Sequence, residues 1–121
     1  MTDADAHLRK FQKELNAGIV ALVLLATLAG ASEPLYGYQI AKQLEQGESD
    51  AGIMKQGTLY PVLRSLSASG LLDSHVEPSV SGPPRRYYSI TPAGRQVLNE
   101  WRLAWETTRD FVDSILKGTS P

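Results

Sequence analysis

Apolar side chains recur along the chain in three rhythms, and each predicts a different kind of element. From Ile19 to Leu28 the sequence is apolar on every helical side, whereas His7 to Asn16 is amphipathic, with Leu8, Phe11 and Leu15 on one stripe and Arg9, Lys10, Lys13 and Glu14 elsewhere. Together they predict one long helix from about Ala6 to about Leu28, for which Thr2, Asp3 and Asp5 supply capping oxygens and N-terminal negative charge. A helix that is hydrophobic all round needs cover all round, and a small domain offers one face. The second cover has to come from another subunit or from the chain's own C-terminal helix.

After the turn Gly30 to Pro34, a short helix opens at Tyr36-Gly37-Tyr38-Gln39-Ile40-Ala41 and runs to about Gln46, with Ile40 and Leu44 inward. Gly47 to Gly52 is a polar turn, and Ile53 or Met54 is expected to tuck under the helix that follows. That third helix is expected over about Thr58 to Ser69. Leu59, Val62, Leu63 and Leu66 fall at the i, i+3, i+4, i+7 spacing that gathers side chains onto one face. Tyr60, Pro61 and Arg64 lie opposite, with Lys55, Gln56 and Thr58 at the start. Proline is tolerated in a first turn, where there is little helical hydrogen bonding to lose, so Pro61 predicts a helix that begins just before it. Gly70 suits a left-handed cap.

Beyond Gly70 the period drops to two. Leu72 and Val76 share one face while Asp73, His75 and Glu77 take the other, which predicts a strand. The turn-rich loop Pro78 to Pro84 leads to a second strand, Arg85 to Ile90, in which Tyr88 shares the inward face of Ile90. Strand neighbours point oppositely, so Arg85 and Arg86 can share a surface only if the hairpin bulges there. Thr91 as cap and Pro92 at the first position then start a helix that meets no breaker until about Lys117. Leu98, Trp101, Trp105, Thr108, Val112 and Ile115 step along it by three and four, a coiled-coil-like seam expected at a dimer interface.

Composition narrows what this order of elements can do. With 121 residues and 42% hydrophobic content, one domain plus an appendage is expected, divided as residues 1–91 and 92–121. There is no cysteine, which excludes disulfides, thiolate catalysis and cysteine-ligated zinc. No metal or other cofactor is expected, since His7 and His75 are the only histidines. Neither neighbours a nucleophile, no glycine-rich phosphate loop follows a strand, and no carboxylate pair stands out, so an enzyme is the weakest reading. The apolar run Ala17 to Ala31 is short of the roughly 18 to 20 residues that span a bilayer. A cytoplasmic protein with no membrane partner is expected.

The net charge of −1 conceals an uneven distribution: residues 1–54 carry −3, residues 55–95 carry +3 and residues 96–121 carry −1. The positive charge therefore sits with the third helix and the hairpin, where a polyanion would feel it. Two short helices followed by a hairpin form the arrangement of a winged helix-turn-helix, whose recognition helix enters the major groove. The fold class expected is mostly α with a small antiparallel β-hairpin, closed by a long dimerisation helix. Arg64 suits phosphate or guanine, Gln56 adenine, and Thr58, Tyr60, Arg85 and Arg86 suit phosphate.

Tyr36-Gly37-Tyr38-Gln39-Ile40, Gly57 to Leu66, Gly70-Leu71-Leu72 and Gly82 to Gly94 together resemble the PadR family of transcriptional regulators, over roughly Leu15 to Val97. The resemblance implies a homodimeric bacterial repressor with Thr58, Tyr60 and Arg64 at double-stranded operator DNA and the Arg-Arg-Tyr-Tyr strand beside the wing. The single closing helix resembles the short form of the family, in which paired C-terminal helices hold the dimer and some members bind flat aromatic molecules between them. Trp101 and Trp105 would line such a site for a small effector, or serve as interface core. The segment up to Glu14 extends beyond the family's core. The alternative is a winged-helix module that binds an acidic protein through the same stripe.

Overall fold

The computed structural model describes residues 2–45 and 56–119. Its elements are α1 (Asp3–Ala29), β1 (Leu35–Tyr36), α2 (Gly37–Glu45), α3 (Gln56–Ala68), β2 (Leu72–Glu77), β3 (Arg85–Ile90) and α4 (Pro92–Lys117). Helices dominate, and the three strands form one antiparallel sheet in the order β1-β3-β2. The expected turn at Gly47 to Gly52, the placement of Ile53 and Met54, and Lys55 lie outside the described residues.

α1 starts earlier than its apolar pattern suggests because Thr2 and Asp5 close a capping box. The Asp5 N–H donates to Thr2 Oγ1 at 3.1 Å, and the Thr2 N–H donates to Asp5 Oδ2 at 3.3 Å. The helix is long and apolar enough to cross a membrane by length and composition, and 22% of its most apolar window is buried in the subunit. Its buried side chains, Val20, Leu24, Leu25 and Leu28, are the middle of the core, where they meet Leu35, Ile40, Leu59, Leu63, Leu66, Leu72, Tyr88 and Leu98. Burying a leucine fully contributes about 1.5–3 kcal/mol, so this cluster anchors every other element.

α3 begins at Gln56, not just before Pro61, which places the proline inside the helix. The missing N–H leaves the Gly57 carbonyl without its helical donor. Gly57 and Pro61 are both exposed, so water can satisfy it. The other end follows expectation: Gly70 takes φ +82°, its N–H donates to the Ser67 carbonyl, and the Leu71 N–H donates to the Leu66 carbonyl. These two bonds form a Schellman cap.

β1 was not expected from the pattern. Two residues carry no periodicity, and they become a strand only because β3 offers them an edge, with Leu35 opposite Tyr88 and Tyr36 opposite Tyr87. β2 and β3 pair without interruption from Leu72 opposite Ile90 to Glu77 opposite Arg85. Val76, expected inward with Leu72, is 52% exposed. The hairpin has by then run beyond the buried cluster, whose strand members are Leu35, Leu72 and Tyr88.

Thr91 fastens α4 to the end of α3. Its hydroxyl accepts from the Gly94 N–H at 2.9 Å and donates to the Gly70 carbonyl at 2.8 Å, while its N–H donates to the Leu71 carbonyl at 3.1 Å. Gly94 is buried so closely against the Leu71 carbonyl that a side chain has no room there. Leu98, expected at the dimer seam, is 4% exposed and lies in its own subunit's core. It leaves almost nothing for a second subunit to cover, because the first turns of α4 close over α1 before the helix runs free.

Candidate nucleic-acid interface

The two sides of α3 separate as their chemistry dictates. Leu59 and Leu63 are fully buried and Leu66 nearly so, while Thr58, Pro61 and Arg64 are exposed. Of Gln56 only the helical backbone is described. Tyr60 stands between the two sides, half-buried, with its ring against the first residue of α2. A Cβ on Gly37 would lie 3.1 Å from the Tyr60 hydroxyl and closer still to the ring, so only glycine at that position lets the phenol lie there. The start of α2 is itself held by Gln39, whose Oε1 accepts from the Tyr36 N–H at 3.0 Å.

The hairpin presents its two arginines to opposite faces. The pairing of β2 with β3 contains no bulge, so alternation holds. Arg86 faces the Tyr88 side and donates from Nη1 to Ser74 Oγ at 3.1 Å. Arg85 faces the other way, its guanidinium 4.4 Å above the centre of the Tyr36 ring. Tyr36 meets Tyr87 edge-on at 5.3 Å, and Tyr87 stacks on His75 at 5.6 Å. His75 Nε2 lies 2.7 Å from Glu77 Oε2, which keeps that carboxylate engaged on the far strand.

Because β1 ends after Tyr36, the edge of β3 at Arg85 and Arg86 is uncovered, and a cleft of ≈ 320 Å³ opens between it, the start of α2 and α3. Tyr60, Arg64, Arg85 and Arg86 all line this cleft, so four of the residues singled out from the sequence come together. Tyr36, Gly37, Tyr38 and Tyr88 complete it with Pro84. Among the described residues the lining includes Arg64, Arg85 and Arg86 and no acidic side chain, a surface suited to an anion. The Arg85 guanidinium itself lies over Tyr36 on the other face of the strand. Tyr88 is 5% exposed. Burial pushes its phenol above the ordinary 10.0, with Arg86 and then Arg64 pulling the other way.

A second concavity, ≈ 560 Å³, lies between α1 and α4. Leu15, Gly18, Ile19 and Leu22 form one wall, and Trp101, Ala104, Trp105 and Thr108 the other. Trp101 is partly covered by the core, whereas Trp105 is 39% exposed. The apolar surface continues along both helices beyond the groove: Leu8 and Phe11 are exposed on α1, and Phe111, Val112 and Ile115 on α4. Among the described residues no group of three or more His, Asp or Glu side chains is placed to hold a metal ion.

The chain has relatives among known proteins. Residues 24–100 match the transcriptional regulator PadR-like family. Over 64 residues the chain is 54% identical to the transcriptional regulator Rv3488 of Mycobacterium tuberculosis, an overlap of 53% of this chain and 56% of that relative, so it spans about half the length of each. A PadR family transcriptional regulator from Eggerthella lenta superposes with a TM-score of 0.79 at 34% identity, covering 96% of this chain and 97% of that one. A PadR-like transcriptional regulator from Bacillus cereus gives 0.67 at 26% identity, over 84% and 95% of the respective chains. The chain belongs to the PadR-like family of transcriptional regulators.

Proposed function

We propose that the protein is a cytoplasmic homodimeric repressor that places α3 of each subunit in the major groove of operator DNA. One observation carries this reading: α3 buries its leucines and leaves Thr58 and Arg64 exposed beside a cleft lined by Tyr60 and Arg86, with no carboxylate among its described lining residues. In this reading Thr58, Tyr60 and Arg64 contact DNA from α3, with Lys55 and Gln56 at the helix start. Arg86 reaches the backbone from the cleft side of the wing and Arg85 from its outer side. Two recognition helices about 34 Å apart match half-sites one duplex turn apart.

The twin subunit supplies the cover that α1 and α4 lack. Phe11, Leu15, Trp105, Val112 and Ile115 are exposed on the two helices that border the groove, a surface that association would remove from water. A planar aromatic effector seated against Trp101 and Trp105 would change the separation of the recognition helices and release DNA. To do so it has to bind one spacing better than the other. The test is a gel-shift titration with the DNA upstream of the protein's own coding sequence at low salt. Wild type binds, and replacement of Tyr60 and Arg64 together by alanine abolishes the shift. Full affinity in the double variant would move the interface elsewhere.

A further inference from the structure

Tyr88 is the residue in the basic cleft that neither the core nor the wing accounts for. Its ring belongs to the buried cluster, a job phenylalanine would do as well. Its hydroxyl has no hydrogen-bond partner among the described residues, yet it is not sealed in: the one fully buried side-chain polar atom left without a partner is Ser67 Oγ. The Tyr88 side chain lines the cleft between α3 and the edge of β3, and the charges of Arg64 and Arg86 both act on it. A phenol beside Arg64 and Arg86, with no carboxylate among the described lining residues, offers a donor that lacks an acceptor.

We propose that this cleft seats one phosphate of the DNA backbone, with the Tyr88 hydroxyl donating to a phosphate oxygen between the Arg64 and Arg86 guanidiniums; this rests on the DNA-binding reading above. Arg86 is already oriented by its bond to Ser74 Oγ, which uses one of its five N–H donors and leaves the rest for the anion. Arg64 approaches from the exposed side of α3, so the phosphate would bridge the recognition helix and the wing. Tyr88 is thereby a backbone contact without sequence information, and it fixes how deeply α3 is seated.

The test compares full-length wild type with Tyr88→Phe, which keeps the buried ring. Affinities for the upstream duplex and for a random-sequence duplex of equal length are measured by fluorescence anisotropy, and melting temperatures at neutral pH by circular dichroism. Loss of one hydrogen bond to a charged oxygen in each subunit of the dimer weakens both duplexes by about a hundredfold, with the melting temperature unchanged. A scan of single neutral methylphosphonates along the duplex then finds a position that weakens wild type but adds nothing to the loss in Tyr88→Phe. Equal affinity of Tyr88→Phe and wild type for both duplexes would overturn the assignment while leaving the DNA-binding reading intact.

If wild type binds no duplex, that reading fails on its own. Titration of wild type with inorganic phosphate at constant ionic strength, followed by the NMR signals of the tyrosine rings, then decides the cleft. Saturable shifts that vanish in Tyr88→Phe keep it as a site for a free phosphate group, and no shifts remove it.

Discussion

Replacing Phe11 by alanine tests whether a second subunit covers the open face of α1. In the subunit Phe11 is 60% exposed, and its loss should cost the fold little. At 100° per residue it shares a stripe with Leu15 and Leu22, opposite the buried Leu24. Burying a phenylalanine fully contributes about 1.5–3 kcal/mol, so covering the exposed part contributes about 1–2 kcal/mol per subunit. A symmetric interface counts the change twice. The dimer should therefore weaken by about 2–4 kcal/mol, or roughly 30- to 1,000-fold in dissociation constant. Sedimentation equilibrium across a micromolar concentration series reads this directly. Leu103→Ala is the control, because Leu103 is 64% exposed but sits on the side of α4 away from the Trp101 and Trp105 seam. Wild type should sediment as a dimer, Leu103→Ala like wild type, and Phe11→Ala as a concentration-dependent mixture. A wild-type monomer, or equal effects of the two variants, would refute the argument.

Other outcomes follow from single contacts. Gly94→Ala drives a methyl into the Leu71 carbonyl and within 2.8 Å of the Ile90 side chain; overpacking of this kind costs about 1–3 kcal/mol, and the melting temperature should fall by several degrees. Thr91→Ala removes the cap on Gly94 and the bond to Gly70, a loss of about 1–2 kcal/mol in urea unfolding. Gly37→Ala displaces the Tyr60 ring and should weaken DNA binding in gel shifts more than it lowers the melting temperature. Tyr88 has a phenol pKa raised by burial above the ordinary 10.0, so the folded state holds its proton longer than the unfolded chain. Stability from this group is then complete below pH 10 and declines as pH rises toward the folded value. Thermal melts between pH 9 and roughly 11.5 should show a shallower decline for Tyr88→Phe than for wild type. Trp105→Ala should abolish quenching of tryptophan fluorescence by a planar aromatic dye that quenches wild type.

What could be read from the chain follows the reach of each physical signal. The leucines of α3, the cap at Gly70, the Thr91-Pro92 start and the strand carrying Tyr88 are local, and the structure places them as the pattern implies. The limits of α1 and α3 shifted by a few residues because caps and exposed turns extend a helix beyond its apolar stripe. β1, the exposed Val76 and the inward Leu98 depend on what lies beside them in space, and no spacing along the chain encodes that. The cleft was half legible. Tyr60, Arg64, Arg85 and Arg86 stand out by charge and face, whereas Tyr36, Gly37, Tyr38 and Tyr88 join them only through the short strand and the close approach at Gly37. The concentration of tyrosines around two adjacent arginines was the available signal.

In the proposed complex the exposed side of α3 and the arginine-lined cleft engage the phosphates of duplex DNA. The most direct measurement is the salt dependence of binding to the upstream duplex between about 50 and 200 mM, where each neutralised phosphate steepens the log–log slope by about 0.9. A dimer that seats one phosphate between Arg64 and Arg86 of each subunit should give a slope of about −2 or steeper, with Arg64→Ala and Arg86→Ala each flattening it by up to about 2. Binding that is absent at low salt, or whose slope neither variant changes, would contradict it.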